Sequence, residues 1–193
     1  MIRRFGVIIW GLAAVGLGGC GAAASILDVG EEIVLAQAQD AGAWVEIAGG
    51  RYTTEFDEGM KERSHNLRLA CEVVDGVILK VGEEFSFNKH VGLATAEKGY
   101  LPAKIFINGK EAMGLGGGIC QLSSTLYNAA EGAGMTVLER HAHSRRVYYV
   151  PVGRDAATAY GGVDLRFRND LPYVVRLRAS AVDGKNVVWL ERM

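Results

Sequence analysis

Residues 114–130 read GLGGGICQLSSTLYNAA, a glycine-rich segment that runs directly into a helical pattern. Apolar side chains recur there at steps of three and four, as they do on the buried face of an amphipathic helix. The positions on that face are Ile119, Leu122, Leu126, Ala129 and Ala133. The pattern predicts a helix that begins just after the glycines and packs its apolar face on the protein core.

Cys120 falls in the first turn of this predicted helix. The dipole and the unpaired N–H groups of a helix start favour a thiolate over a thiol. The same N–H groups, including those near Gln121, are placed to stabilise an oxyanion beside the sulfur. Cys120 is therefore the candidate nucleophile, and the alternative is a small buried cysteine that fills a gap in the core.

Substrate contacts are expected around this cysteine. Glycines allow another group to approach the backbone closely, and polar side chains on the helical stripe of Cys120 face the same side of the helix. The candidates for substrate binding on these grounds are Gly116, Gly117, Gly118, Gln121, Ser124 and Tyr127.

His141 and His143 are the candidate general bases for the thiol. Their spacing puts both on one face of a strand and does not decide between them, and we favour His143. A third group often orients such an imidazole, and Asp155 and Asp164 are the nearest acidic residues. A zinc site made of Cys120, His141 and His143 is the rival hypothesis, although no close pair of ligands supports it.

Three arginines flank the histidines, at positions Arg140, Arg145 and Arg146. Guanidinium groups match carboxylates in shape and charge, so Arg140 and Arg145 are further candidates for substrate binding. A solvated basic patch is the alternative. The whole chain has 21 Lys and Arg against 22 Asp and Glu, so no basic excess points to a nucleic acid partner.

The first 20 residues have the pattern of a secretory signal. Arg3 and Arg4 precede an apolar run over residues 5–17, which is shorter than the about 20 residues of a membrane span. The ending Leu-Gly-Gly-Cys resembles a lipoprotein lipobox, which predicts lipidation at Cys20. Cleavage near residues 22–24 and an uncleaved anchor are alternatives, and all three export the domain. We expect an extracytoplasmic lipoprotein anchored to the bacterial membrane, with residues 21–43 as a tether.

With Cys20 acylated, Cys71 and Cys120 remain, and two cysteines in an oxidising compartment can pair. Cys71 lies on the apolar stripe of a second predicted helix, over residues 63–74, which places it in the core. We therefore expect two free thiols, with a bridge between them as the alternative.

The rest of the chain alternates between short strands and turns. Residues 88–92 are expected to form a loop. Strands are predicted at 44–47, 51–56, 77–81, 84–87, 103–107, 136–139, 147–150, 164–167, 173–179 and 187–190. Two main helices among these strands predict an α+β fold, a single domain over residues 44–193 with a mostly antiparallel sheet.

Several of these segments together resemble the VanW domain family. The matching motifs are EFSFN at 84–88, VG at 91–92, GY at 99–100, GGGICQLSSTLYNA at 116–129, ERHAHS at 139–144 and GRDA at 153–156. The similarity covers about residues 51–179. Two positions depart from the usual family pattern. Asp155-Ala156 is followed by Ala157 and then Thr158, where the family has Asp-Ala-Thr. Val81-Gly82 stands at the position of the family's usual Pro-Gly.

The resemblance implies a cell-envelope protein that acts on peptidoglycan stem peptides. Some members look like L,D-transpeptidases that form 3–3 cross-links through a thioester, and they need no cofactor. Carried onto this chain, Cys120 is the nucleophile, a histidine of the 141/143 pair is the base, and Asp155 is the third residue. An L,D-carboxypeptidase and a non-catalytic module that binds the cell wall or a partner are the alternatives.

Overall fold

A computed structural model describes residues 43–107 and 110–193 of the 193-residue chain. The predicted signal peptide with Cys20, and the predicted tether up to residue 42, lie outside the described residues. No helix in the described part is long and apolar enough to cross a membrane.

The largest element is a four-stranded antiparallel sheet with the strand order β1–β9–β8–β2. Its strands are β1 (Val45–Glu55), β2 (Ile78–Leu79), β8 (Val175–Val182) and β9 (Lys185–Arg192). Alternate residues of β8 and β9 are buried, as a sheet covered on one face requires. The predicted strands 44–47 and 51–56 form one strand with a register shift between Glu46 and Arg51.

Two helices cover the inner face of this sheet. Helix α1 (Lys61–Val74) packs on β8, and α3 (Ile119–Gly132) packs on β1 and β9. The apolar face predicted for α3 is confirmed, because Leu122 and Leu126 are fully buried. Burying each such side chain contributes about 1.5–3 kcal/mol.

Two smaller sheets complete the described unit. One has the order β3 (Glu84–Ser86), β7 (Arg166–Arg168) and β6 (Thr136–Glu139), and the other is a hairpin of β4 (Pro102–Ile107) and β5 (Lys110–Leu115). Helices and antiparallel sheets share one core. This confirms the predicted α+β fold, with one main helix starting at the glycine-rich segment and Cys120.

Two local predictions are wrong. Residues 88–92 are not a plain loop, because α2 (Phe87–Val91) forms there with Ser86 as its cap, its hydroxyl accepting the Lys89 N–H at 3.1 Å. Residues 147–150 form no strand. That segment instead leads to Tyr149, whose hydroxyl donates to the Cys120 carbonyl oxygen at 3.3 Å.

A buried polar cluster joins α3 to the sheet. Asn186 of β9 donates to the Thr125 hydroxyl at 2.8 Å, and the hydroxyls of Thr125 and Thr54 lie 2.9 Å apart. Gln121 donates to the Thr54 hydroxyl at 3.1 Å and to the Glu55 carbonyl at 2.8 Å. Because buried polar groups are costly without partners, this cluster fixes how α3 sits on the sheet.

Cys71 lies in the core, as the sequence predicts. Its side chain is almost fully buried, and its thiol points to the Asn186 side-chain oxygen at 3.4 Å. Both Cys71 and Cys120 are free thiols.

Candidate active site

Glycine is required where α3 begins, because two backbones approach closely there. A Cβ on Gly117 would lie 2.7 Å from the Lys104 carbonyl oxygen, and one on Gly118 would lie 2.8 Å from the Arg63 carbonyl oxygen. Gly118 also has a φ of +112°, in the left-handed region. Strand β4 and helix α1 thus hold these two buried glycines, and Cys120 follows as the second residue of α3.

The Cys120 residue is half-buried, and its sulfur lies within hydrogen-bonding distance of Thr158. The thiol points to the Thr158 carbonyl oxygen at 3.4 Å, and the Thr158 hydroxyl lies 3.7 Å from the sulfur. The Cys120 carbonyl accepts from the hydroxyl of Ser124 at 2.8 Å and from that of Tyr149 at 3.3 Å. These contacts hold the first turn of α3 against Thr158 and Tyr149.

His143 is oriented by Asp155. One oxygen of the carboxylate, Oδ2, lies 2.7 Å from the His143 Nδ1 and accepts the His143 backbone N–H at 2.7 Å. The other oxygen accepts from Arg140 at 2.9 Å, and Arg140 also donates to the Asp155 carbonyl at 2.5 Å. With Nδ1 occupied, Nε2 is the ring nitrogen left for the Cys120 thiol.

The pKa values of the three side chains shift together. Burial raises the pKa of the Cys120 thiol, but the neighbouring His143 imidazole brings it below the ordinary value. Burial lowers the pKa of His143, and the neighbouring Cys120 and the Asp155 carboxylate outweigh this and raise it. The pKa of Asp155 is lowered despite burial, because His143 donates to it. These directions favour a thiolate–imidazolium pair.

His141 does not join this group. Its ring is exposed and lies 3.0 Å from the Glu139 carboxylate, and its carbonyl accepts the Ala157 N–H at 2.8 Å. Asp164 is also separate, since its carboxylate accepts from Ser86 and Asn88. In the described ranges, no group of three His, Cys, Asp or Glu residues is arranged to hold a metal ion.

Most of the residues predicted to bind substrate make internal contacts. Gln121 faces the sheet, and Ser124 is buried between the Cys120 carbonyl and the Ala156 N–H. Tyr127 bonds to Glu131 and packs beneath Arg140, which itself holds Asp155. Gly116 is half-buried, and Arg145 is exposed over the Phe106 ring. The structure therefore brings Cys120, His143 and Asp155 together and uses most of the others as support.

Two residues of the site, Thr158 and Tyr149, were not predicted from the sequence. Thr158 reaches the sulfur from a loop, and its local pattern does not indicate that contact. Tyr149 was assigned to a strand, and nothing in its pattern indicated that its hydroxyl turns toward Cys120.

Comparisons with known proteins identify the family of this chain. The family model described as "VanW like protein" matches residues 62–190. The "Uncharacterized protein YoaR" of Bacillus subtilis (strain 168) is 43% identical over 141 residues, which cover 73% of this chain and 46% of that relative. The "Vancomycin B-type resistance protein VanW" of Enterococcus faecalis (strain ATCC 700802 / V583) is 31% identical over 140 residues, 69% of this chain and 51% of the relative.

The chain thus spans about half the length of the curated relatives it matches. No solved structure matches it. The matched region contains the whole of α3 as well as His143 and Asp155. On this evidence, the protein belongs to the VanW family.

Proposed function

We propose that the protein is a cysteine-dependent L,D-transpeptidase that acts on peptidoglycan stem peptides. The observation that carries the proposal is the Asp155 carboxylate, 2.7 Å from the His143 Nδ1, which orients an imidazole whose proximity lowers the pKa of the Cys120 thiol. Family membership supports a cell-wall-associated protein, and one relative is named as a vancomycin resistance protein.

In the first half of the reaction, the Cys120 thiolate attacks the carbonyl carbon of the amide before a terminal D-residue. The new C–S bond gives a tetrahedral intermediate, and the C–N bond then breaks. The imidazolium of His143 gives its Nε2 proton to the departing amine. The products of this half are a thioester on Cys120 and a free D-amino acid.

In the second half, the amine of a neighbouring stem peptide attacks the thioester. His143 takes the proton from that amine, the C–S bond breaks, and the thiolate returns. The new amide is the cross-link. With water in place of the amine, the same steps release a free acid, which is the carboxypeptidase alternative.

The N–H of Cys120 is the candidate oxyanion donor. The Ile119 N–H already donates to the Gly116 carbonyl at 3.2 Å, and the Gln121 N–H donates to the Gly118 carbonyl at 3.0 Å. The N–H of Cys120 itself has no acceptor among the described residues. An N–H at the start of α3, next to the sulfur, is well placed for charge that develops on the carbonyl oxygen.

The test uses the full chain with purified tetrapeptide muropeptides and mass spectrometry. We expect 3–3 cross-linked dimers and free D-amino acid with the wild type, and neither with Cys120→Ala. Cys71→Ala is the matched control, because it removes a thiol that faces the core. Absence of product with the wild type, or equal product with Cys120→Ala, contradicts the proposal.

A second candidate function is a non-catalytic module that binds cell-wall peptide. The contact that favours it is the one from the Cys120 thiol to the Thr158 carbonyl, which a protonated thiol makes as a donor. Alkylation of Cys120 near neutral pH separates the two functions. Fast modification supports the enzyme, and modification as slow as that of an ordinary thiol of pKa about 8.5 supports the binding module.

We also propose that the protein is exported and lipidated at Cys20. The basic start, the short apolar run and the Leu-Gly-Gly-Cys ending support this. Cells labelled with palmitate are expected to label the wild type and not Cys20→Ala. Equal labelling of the two proteins would rule out lipidation at Cys20.

A further inference from the structure

A groove of about 670 Å³ lies near the start of α3, with Gln121 and Tyr149 in its wall. It lies between the end of β1, the start of α1 and the Tyr148–Tyr149 segment. Tyr149 belongs both to the groove wall and to the site, because its hydroxyl bonds to the Cys120 carbonyl. The groove therefore reaches a side chain that is bonded to the backbone of Cys120.

The charged residues of the groove are Glu55, Asp57, Arg63 and Lys185. Asp57 accepts the Gly59 N–H at 2.8 Å, and Glu55 lies directly across the strand pair from Lys185. Arg63 is half-buried, and none of the ion pairs or side-chain hydrogen bonds within residues 43–107 and 110–193 involves its guanidinium. Neither cation of the groove, Arg63 or Lys185, forms an ion pair within the described residues, and Arg63 is the one that packs on the start of α3.

Arg63 packs against the start of α3. A Cβ on Gly118, two residues before Cys120, would lie 2.8 Å from the Arg63 Cγ. Arg63 and Tyr149 both line the groove, and the Tyr149 hydroxyl donates to the Cys120 carbonyl oxygen at 3.3 Å. Arg63 therefore connects the wall of the groove with the start of α3.

We propose that this groove is the subsite for the free carboxylate of the acyl donor, and that Arg63 is the residue that binds it. This rests on the proposed function, in which the bond that breaks is the one before a terminal D-residue. That residue carries a carboxylate a few bonds from the scissile amide, and a guanidinium fork matches it in charge and shape. Arg140 is engaged by Asp155 and Arg154 by Glu131, while Arg145 and Arg146 lie over the Phe106 and Tyr148 rings.

The first test compares two donor peptides that differ only at the end of the D-residue, a free carboxylate or a carboxamide. We expect the wild type to prefer the carboxylate by about tenfold or more in kcat/KM. In Arg63→Gln the preference should fall to about twofold or less, through a slower reaction of the carboxylate peptide alone. Arg63→Lys should restore part of it, because the charge is kept and the fork is lost.

Arg168→Gln is the matched control, since it removes an exposed arginine that pairs with Asp170. It should keep the full preference of the wild type. An Arg63→Gln variant that retains the preference, or a wild type that turns over both peptides equally, overturns the subsite and leaves the proposed reaction standing.

The second test measures binding without turnover, in Cys120→Ala and in Cys120→Ala combined with Arg63→Gln. Titration calorimetry with the same two peptides should show tighter binding of the carboxylate to the first protein by about tenfold, and no difference in the second. This result supports the subsite even if the wild type proves inactive. Equal binding of the two peptides to Cys120→Ala, or no binding of either, overturns it.

Discussion

Cys120 and Cys71 have opposite surroundings, and their thiols should react very differently. Burial raises the pKa of Cys71 to about 12, whereas the His143 imidazole brings the pKa of Cys120 below its ordinary value. A lowered pKa means that the thiolate persists as the pH falls toward neutrality. We therefore expect the rate of Cys120 alkylation to rise with pH at a midpoint below about 8.5, while Cys71 stays unmodified.

Iodoacetamide labelling followed by peptide mass spectrometry measures both thiols in one sample, so Cys71 serves as the internal control. A Cys120 midpoint at or above that of a free thiol would contradict the expected thiolate. So would labelling of Cys71 in parallel with Cys120.

His143 and His141 are two residues apart and should differ in their effect on the thiol. His143 lowers the pKa of Cys120, while His141 faces Glu139. Replacing His143 with alanine should move the alkylation midpoint upward and slow labelling near neutral pH by about tenfold. His141→Ala should stay within about twofold of the wild type. A larger effect of His141→Ala than of His143→Ala would identify His141 as the partner of the thiol.

The sequence alone placed Cys120 in the first turn of a helix and placed Cys71 in the core, because both depend on a periodic apolar pattern. It did not show which way the other polar residues of the motif point. Gln121 follows Cys120 directly, yet it turns to the sheet and not to the site. That direction depends on acceptors in β1, which lie more than sixty residues away in the chain and leave no mark in the local pattern.

At the scale of single elements, helix α3 crosses β1 at a contact between two glycines. A Cβ on Gly132 would overlap the Gly49 carbonyl oxygen, and Gly49 has a φ of +77°. We expect Gly132→Ala to destabilise the protein by about 2–3 kcal/mol, because α3 would have to move away from the strand. Urea denaturation followed by circular dichroism measures the loss.

Gly162→Ala is the control for that substitution. A Cβ at Gly162 would meet the Ala159 carbonyl oxygen at 3.6 Å, an ordinary contact. Its effect should stay within about 0.5 kcal/mol, as for most exposed positions. Equal losses in the free energy of unfolding for the two variants would show that the contact between α3 and β1 accommodates a Cβ at Gly132.

Most elements could be predicted from the sequence, because alternation and helical spacing act over short distances. The turn at Asp183-Gly184 is an example, with positive φ at both residues between β8 and β9. The segment 147–150 failed for the opposite reason. Its apolar residues look like a strand, but it forms none, and the Tyr149 hydroxyl instead donates to the Cys120 carbonyl of α3.

At the scale of the whole described unit, helices and sheets should unfold together. The cluster of Asn186, Thr125, Thr54 and Cys71 joins α1, α3, β1 and β9 through buried hydrogen bonds. In a urea titration, we expect the fluorescence of Trp189 in β9 and the protection of Cys71 in α1 from alkylation to be lost at one midpoint. Earlier exposure of Cys71 would show that α1 opens on its own.

The hydrogen bonds of Gln121 fix the rotation of α3 about its axis, and with it the direction of the Cys120 sulfur. Successive residues of an α-helix are about 100° apart around its axis, so a helix that turned by one position would carry Cys120 away from His143. The side-chain amide of Gln121 donates to Thr54 and Glu55 of β1, and these hydrogen bonds prevent this rotation. A cysteine placed on another glycine-capped helix without such hydrogen bonds would have the motif, but the direction of its side chain would not be fixed.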